Sequence, residues 1–216
     1  MPRSRQRVDS NANGHDATVR VTGQFAPLIG ALIGTLGGAI YWLAALIWPS
    51  SVAVILSMAS TALLTTELHG GTPATRLDDL SRVLCLLIKY NALMALSAAK
   101  LPFAVPANVP LGLIMVCGYS ASFALLVAVM ALRPEKSAPR VSTAALGLAL
   151  LIGFAPAALL GIPGLIGLAA AILAGLGIIA FLKFKRAGGS QHALDLTQWL
   201  TEACFYLGAL ATWRYI

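Results

Sequence analysis

Long apolar runs alternate along this chain with short polar connectors. Seven runs can be drawn, at residues 25–48, 52–68, 83–99, 111–132, 143–160, 164–182 and 198–213. A helix rising about 1.5 Å per residue needs about 20 apolar residues to cross a hydrocarbon core of about 30 Å. On that arithmetic the first run crosses, while the second, third and last are marginal. Clear breakers separate the runs: Pro49 with Ser50 and Ser51, Gly70-Gly71-Thr72-Pro73, the group Pro102, Pro106 and Pro110, then Pro134 and Pro139, Gly161-Ile162-Pro163, and Gly188-Gly189. The pattern predicts an all-α, polytopic membrane helix bundle of about seven transmembrane helices, forming a single domain over residues 25–216. Residues 1–24 are polar, with Arg3, Arg5, Arg7, Asp9, His15 and Asp16 and no signal-peptide core, and predict a disordered cytoplasmic tail.

Composition sharpens this reading. At 58% hydrophobic and 11% charged, the 216 residues exceed the apolar mass that one water-soluble core can use. Soluble enzymes, coiled coils, disulfide scaffolds and disordered regulators are excluded. Cys85, Cys117 and Cys204 each fall inside an apolar run, without a CxxC pair or a histidine at ligand spacing, and read as small buried hydrophobes. Gly30, Gly34 and Gly38, four apart, form a stripe that lets another helix approach closely. Pro156 is expected to kink the fifth span.

The net charge of +7 would suit nucleic acid, but its position speaks for a bilayer instead. Twelve Lys and Arg residues fall in the tail and the even connectors, against Lys100 and Arg214 in the odd connectors and at the C-terminus. The positive-inside rule then puts the N-terminus and even connectors in the cytoplasm, as in a multi-pass protein of the inner (cytoplasmic) membrane.

The acidic residues follow the same face. Apart from Asp9 and Asp16, each lies in or beside an even connector: Glu67, Asp78, Asp79, Glu135, Asp195 and Glu202. His69 and His192 border the second and sixth connectors. Carboxylates that could take Mg²⁺, and cations that could neutralise phosphate, thus converge on one membrane face from distant segments. A merely solvated charge cluster at Asp78-Asp79 with Arg76 and Arg82 would produce the same pattern. Glu67, Lys89 and Glu202 stand inside or at the edge of apolar runs, where an ionised group must pair, bind a cation or line a wet cavity. A structural Glu–Lys pair and a functional role both satisfy that demand. No Walker loop, dinucleotide fingerprint, GxSxG elbow or HExxH occurs.

Four stretches in order resemble one family. They are Gln24-Phe25-Ala26-Pro27-Leu28-Ile29-Gly30 with Gly34 opening the first span, Leu63-Leu64-Thr65-Thr66-Glu67-Leu68-His69, Leu132-Arg133-Pro134-Glu135, and Arg186-Ala187-Gly188-Gly189 followed by Leu200-Thr201-Glu202-Ala203. This pattern is similar to the cobalamin synthase family, the adenosylcobinamide-GDP ribazoletransferases of the late B12 pathway. The resemblance implies an enzyme that joins alpha-ribazole or its 5′-phosphate to adenosylcobinamide-GDP with Mg²⁺ and releases GMP. Taken with the charge map, it makes Asp78, Asp79, Asp195 and Glu202 candidates for the metal, His69 and Asp195 for catalysis, and Arg76, Arg133, Lys185, Arg186 and His192 for substrate. A homo-oligomer is left open.

The departures fall on the chemistry. Aligned on His69, Gly71 and Thr75 stand where the family has its first two motif aspartates, and Asp78 keeps the third. His192 replaces a further family aspartate, and Asp195 a glycine. Weak activity is expected unless Asp79, Asp195 and Glu67 substitute. A diverged, non-catalytic corrinoid-handling protein is the second reading, and a small transporter using Lys89, Glu67 and Glu202 is the third, although no repeat relates the chain halves.

Overall fold

The computed structural model describes the backbone of residues 6–69, 76–98, 108–132, 142–185 and 191–213, with side chains over 25–65, 80–98, 111–132, 142–181 and 194–212. Seven helices follow one another, α1 (Gln6–Ala45), α2 (Ser50–His69), α3 (Arg76–Ala98), α4 (Asn108–Ala131), α5 (Thr143–Leu159), α6 (Ile162–Lys185) and α7 (Gln191–Trp213), and the described residues include no strand. Each expected apolar run lies on its own helix. Helix α1 begins at Gln6, so the segment expected as a disordered tail continues the first span as helix; its side chains lie outside the described residues. Adding turns to a helix already nucleated by an anchored span costs little.

Four stretches are long and apolar enough to cross a membrane: Phe25–Ala45, Leu80–Ala98, Leu111–Ala131 and Ile162–Phe181. The third run, expected to be marginal, qualifies because its helix starts before Val83. Ser50–Thr65 and Thr143–Leu159 are shorter apolar helices, so the fifth run is shorter than expected. Ser142 caps α5, its hydroxyl oxygen accepting from the Ala145 amide at 3.1 Å. Gly161, at φ +68°, then turns the chain into α6, a left-handed backbone that suits glycine.

Helix α4 is the centre: 78% of the most apolar part of Leu111–Ala131 is buried, against 28–39% of the corresponding part of the other three spanning stretches. Its closest neighbour is α1, along the glycine stripe. A Cβ on Gly34 would stand 2.6 Å from Val116 Cα, and one on Gly38 2.7 Å from Gly112 Cα, so the two backbones touch. Ser120 Oγ bonds the Pro27 carbonyl at 3.2 Å across the same seam. On the other side of α1, Ser57 Oγ donates to the Gly37 carbonyl at 2.7 Å. Outward, Leu32, Leu63, Leu151, Leu159 and Leu173 are exposed, as side chains facing lipid are.

These contacts fix the relative directions of the helices. Gly30 meets Tyr119 while Gly38 meets Gly112, so α1 and α4 run antiparallel. Gly167 meets Phe205 and Gly175 meets Thr201, so α6 and α7 do the same. The start of α1, the ends of α2, α4 and α6, and the starts of α3 and α7 therefore share one end of the bundle. This is the end to which the sequence assigns the even connectors.

Candidate functional site

Polar residues come together where α3 and α7 pass α4. On α7, Asp195, Gln198, Glu202 and Tyr206 follow at helical spacing and so occupy one face; on α3, Arg82, Cys85 and Lys89 do the same. These two faces meet over Tyr119 of α4.

The inner layer is a buried ion pair. Lys89 Nζ lies 2.7 Å from Glu202 Oε1 and donates to the Tyr119 hydroxyl at 2.6 Å. Tyr206 donates to the same Glu202 oxygen at 2.9 Å. Lys89 is 7% exposed and Glu202 4%. A lone charge at that depth would be costly, whereas a pair whose hydrogens and lone pairs are engaged is tolerated. The Glu–Lys pair weighed from the sequence is therefore present. Glu202, a metal candidate from the sequence, has its Oε1 engaged by Lys89 and Tyr206, and it stands about 10.5 Å from Asp195 along the helix axis. It was the surrounding hydrocarbon, requiring a counter-charge, that decided its partner.

The outer layer lies two turns toward the even-connector end. Arg82 reaches Asp195 Oδ2 at 3.3 Å, and its guanidinium carbon sits 5.8 Å from the centre of the Trp199 ring. Arg82, read from the sequence with Asp78 and Asp79, pairs across to α7; the side chains of those two aspartates lie outside the described residues. The early turns of α3 and α7 are thus joined by a cation–carboxylate contact, while the second and sixth connectors that precede them lie outside the described residues. Oxygen Oδ1 of Asp195 and Oε1 of Gln198 are buried and have no hydrogen-bond partner among the described residues. Between the layers, Thr65, Cys85, Lys89, Gln198, Trp199 and Glu202 line part of a cavity of about 20 Å³.

Of the other assigned residues, His69 ends α2, Arg76 opens α3 with Asp78 and Asp79 in its first turn, Lys185 ends α6 and His192 stands in the first turn of α7. All occupy the same end of the bundle as Asp195; their side chains, and Arg133 and Arg186 altogether, lie outside the described residues. Among the described residues no three His, Cys, Asp or Glu side chains are grouped to hold a metal ion. Sequence reasoning missed Tyr119, Gln198, Trp199 and Tyr206. Their signal was a polar atom inside an apolar run, which needs a partner once buried.

A family model described as Cobalamin-5-phosphate synthase matches residues 6–71. An adenosylcobinamide-GDP ribazoletransferase of Leptothrix cholodnii is 35% identical over 220 residues, covering 86% of this chain and 83% of that protein. The chain belongs to the cobalamin synthase family. The family-model match covers residues 6–71, whereas the likeness to the Leptothrix cholodnii protein spans most of the chain. No solved structure matches the chain.

Proposed function

We propose that this chain is an adenosylcobinamide-GDP ribazoletransferase of the inner membrane, which joins alpha-ribazole or its 5′-phosphate to adenosylcobinamide-GDP and releases GMP. The observation that carries the proposal is the 35% identity, over most of both chains, to a protein of that name. The site supports it by offering a buried carboxylate oxygen without a donor, at the end of the bundle where basic residues collect.

In the reaction a ribose hydroxyl of ribazole attacks a phosphorus of the pyrophosphate. A new oxygen–phosphorus bond forms, the bond to GMP breaks, and the hydroxyl proton needs an acceptor. Asp195 Oδ1 is the first candidate acceptor and His69 the second. The Arg82 guanidinium at 3.3 Å holds the Asp195 carboxylate in place through its other oxygen. Arg76, Arg133, Lys185 and Arg186 are proposed to bind the phosphates of substrate and leaving GMP, with His192 beside them.

Mg²⁺ fits this donor set, because it needs only one or two carboxylates beside substrate phosphates and Asp195 Oδ1 is an unengaged oxygen. Asp78 and Asp79 on α3 and Asp195 on α7 would hold it. When bound it supplies charge neutralisation at the non-bridging phosphate oxygens. The twelve-to-two bias of cations supports a cytoplasmic position for this end of the bundle.

The test is complementation of a strain lacking the synthase. Restored cobalamin synthesis is expected with the wild-type chain and not with Asp195→Ala at equal membrane content. Failure of a well-expressed wild-type chain would overturn the proposal in favour of a non-catalytic member of the family. Asp195→Asn separates the two roles of that residue: raised Mg²⁺ rescues a lost ligand and does not rescue a lost base.

A further inference from the structure

Gln198 is 1% exposed, and its side-chain oxygen has no donor among the described residues. Leaving a buried amide oxygen unpaired is costly, so its position next to a cavity points to a donor arriving from outside the fold. Lys89 donates to Glu202 and Tyr119, Tyr206 donates to Glu202, and no described residue donates to Gln198 Oε1. At about 20 Å³ the cavity holds one hydroxyl group or one water. Beside it, half-buried Trp199 also lines the cavity.

Asp195 and Gln198 stand one turn apart on the same face of α7, each with an oxygen that lacks a donor among the described residues. A ligand with two hydroxyl donors and an aromatic ring would satisfy both oxygens and cover the indole. From this geometry we infer a nucleoside subsite between α3 and α7. Gln198 Oε1 accepts from a ribose hydroxyl other than the attacking one, and Trp199 carries the apolar bicyclic base. The inference rests on the transferase reading and deepens it, since it makes Gln198 a specificity-determining residue for the nucleoside substrate. A site that hydrogen-bonds a substrate hydroxyl discriminates strongly against an analogue lacking it.

The test uses the full chain with Trp42, Trp48 and Trp213 changed to Phe, so that Trp199 is the sole indole. Alpha-ribazole, added without the second substrate, should quench its fluorescence saturably. Gln198→Leu should raise Kd about 10-fold or more. A ribazole analogue lacking the recognised hydroxyl should bind weakly to both proteins and equally well to each. Absence of saturable quenching, or an unchanged Kd in Gln198→Leu, would overturn the inference and leave the cavity to a water alone. Should Gln198→Leu not fold, the deoxy-analogues on the sole-indole protein decide: equal affinity for all of them overturns it. Binding is read apart from turnover, so quenching with failed complementation sinks the transferase reading alone, and complementation without a Gln198 effect sinks the subsite alone.

Discussion

Helix α4 is packed on its two sides by opposite means. Toward α1 it presents backbone to backbone, through Gly112 and Val116 against Gly38 and Gly34, with Ser120 as the one polar clasp noted above. Toward α3 and α7 it presents Tyr119 to a buried ion pair. Inside a bilayer, lipid tails are as apolar as leucine, so helices gain little from simply hiding hydrophobic surface. The glycine side holds by close dispersion contact and has no room to spare. The polar side holds by satisfied charges, and its cost is met only while every partner is present. Close backbone packing holds the first seam and paired charges hold the second.

The largest effect expected in breaking that contrast is Lys89→Ala. It would strand the Glu202 carboxylate in the interior, and removing one partner of a buried pair costs about 3–5 kcal/mol. Thermal unfolding in detergent should show a much lower Tm. The double replacement of Lys89 and Glu202 by Met should recover most of that loss, because a well-packed apolar substitute for a buried pair is often neutral. A double variant as unstable as the single one would show that the pair is not the unit.

Gly34→Leu comes next. Its first added carbon alone would stand 2.6 Å from Val116 Cα, which is backbone and cannot swing aside. Overpacking of this kind costs about 1–3 kcal/mol. Gly177→Ala meets nothing within 4 Å and is expected to be neutral or slightly stabilising in the same unfolding measurement. Equal effects at the two glycines would remove the seam from the account.

Gly161→Ala is smaller, about 1–2 kcal/mol, from the positive φ rather than from contacts. Arg82→Ala should change stability by less than about 1 kcal/mol, since the Arg82 side chain is 31% exposed. Its effect should be seen in turnover instead. A drop in Tm as large as that of Lys89→Ala would mean the outer layer is structural.

Much of this architecture was legible in the chain, and the limits are instructive. The seven runs and their breakers predicted the seven helices, because hydrophobic length and glycine or proline punctuation are local properties. The charge bias grouped the even connectors at one end, and the helix directions agree. Which helix is central was not legible from hydropathy: Ile162–Phe181, at mean hydropathy 2.4, is more apolar than Leu111–Ala131 at 2.2, yet far less buried. In a membrane both lipid and protein accept leucine, so the cue lies in small residues such as Gly112, Gly118, Ser120 and Ala121. Lys89 and Glu202 drew attention as intramembrane charges, but their union across 113 positions depends on tertiary packing, as does that of Arg82 with Asp195, also separated by 113. Gln198 and Tyr206 become visible only once one face of α7 is known to turn inward.

The central claim is tested most directly by GMP release from purified chain in proteoliposomes supplied with alpha-ribazole, adenosylcobinamide-GDP and Mg²⁺. The account predicts GMP formed in step with the joined product, and a rate lower by at least about 100-fold in Asp195→Ala at unchanged Tm, as expected on losing a group that accepts a proton in the transition state. Release of no GMP by the folded wild-type protein, or equal rates in the two proteins, would contradict it.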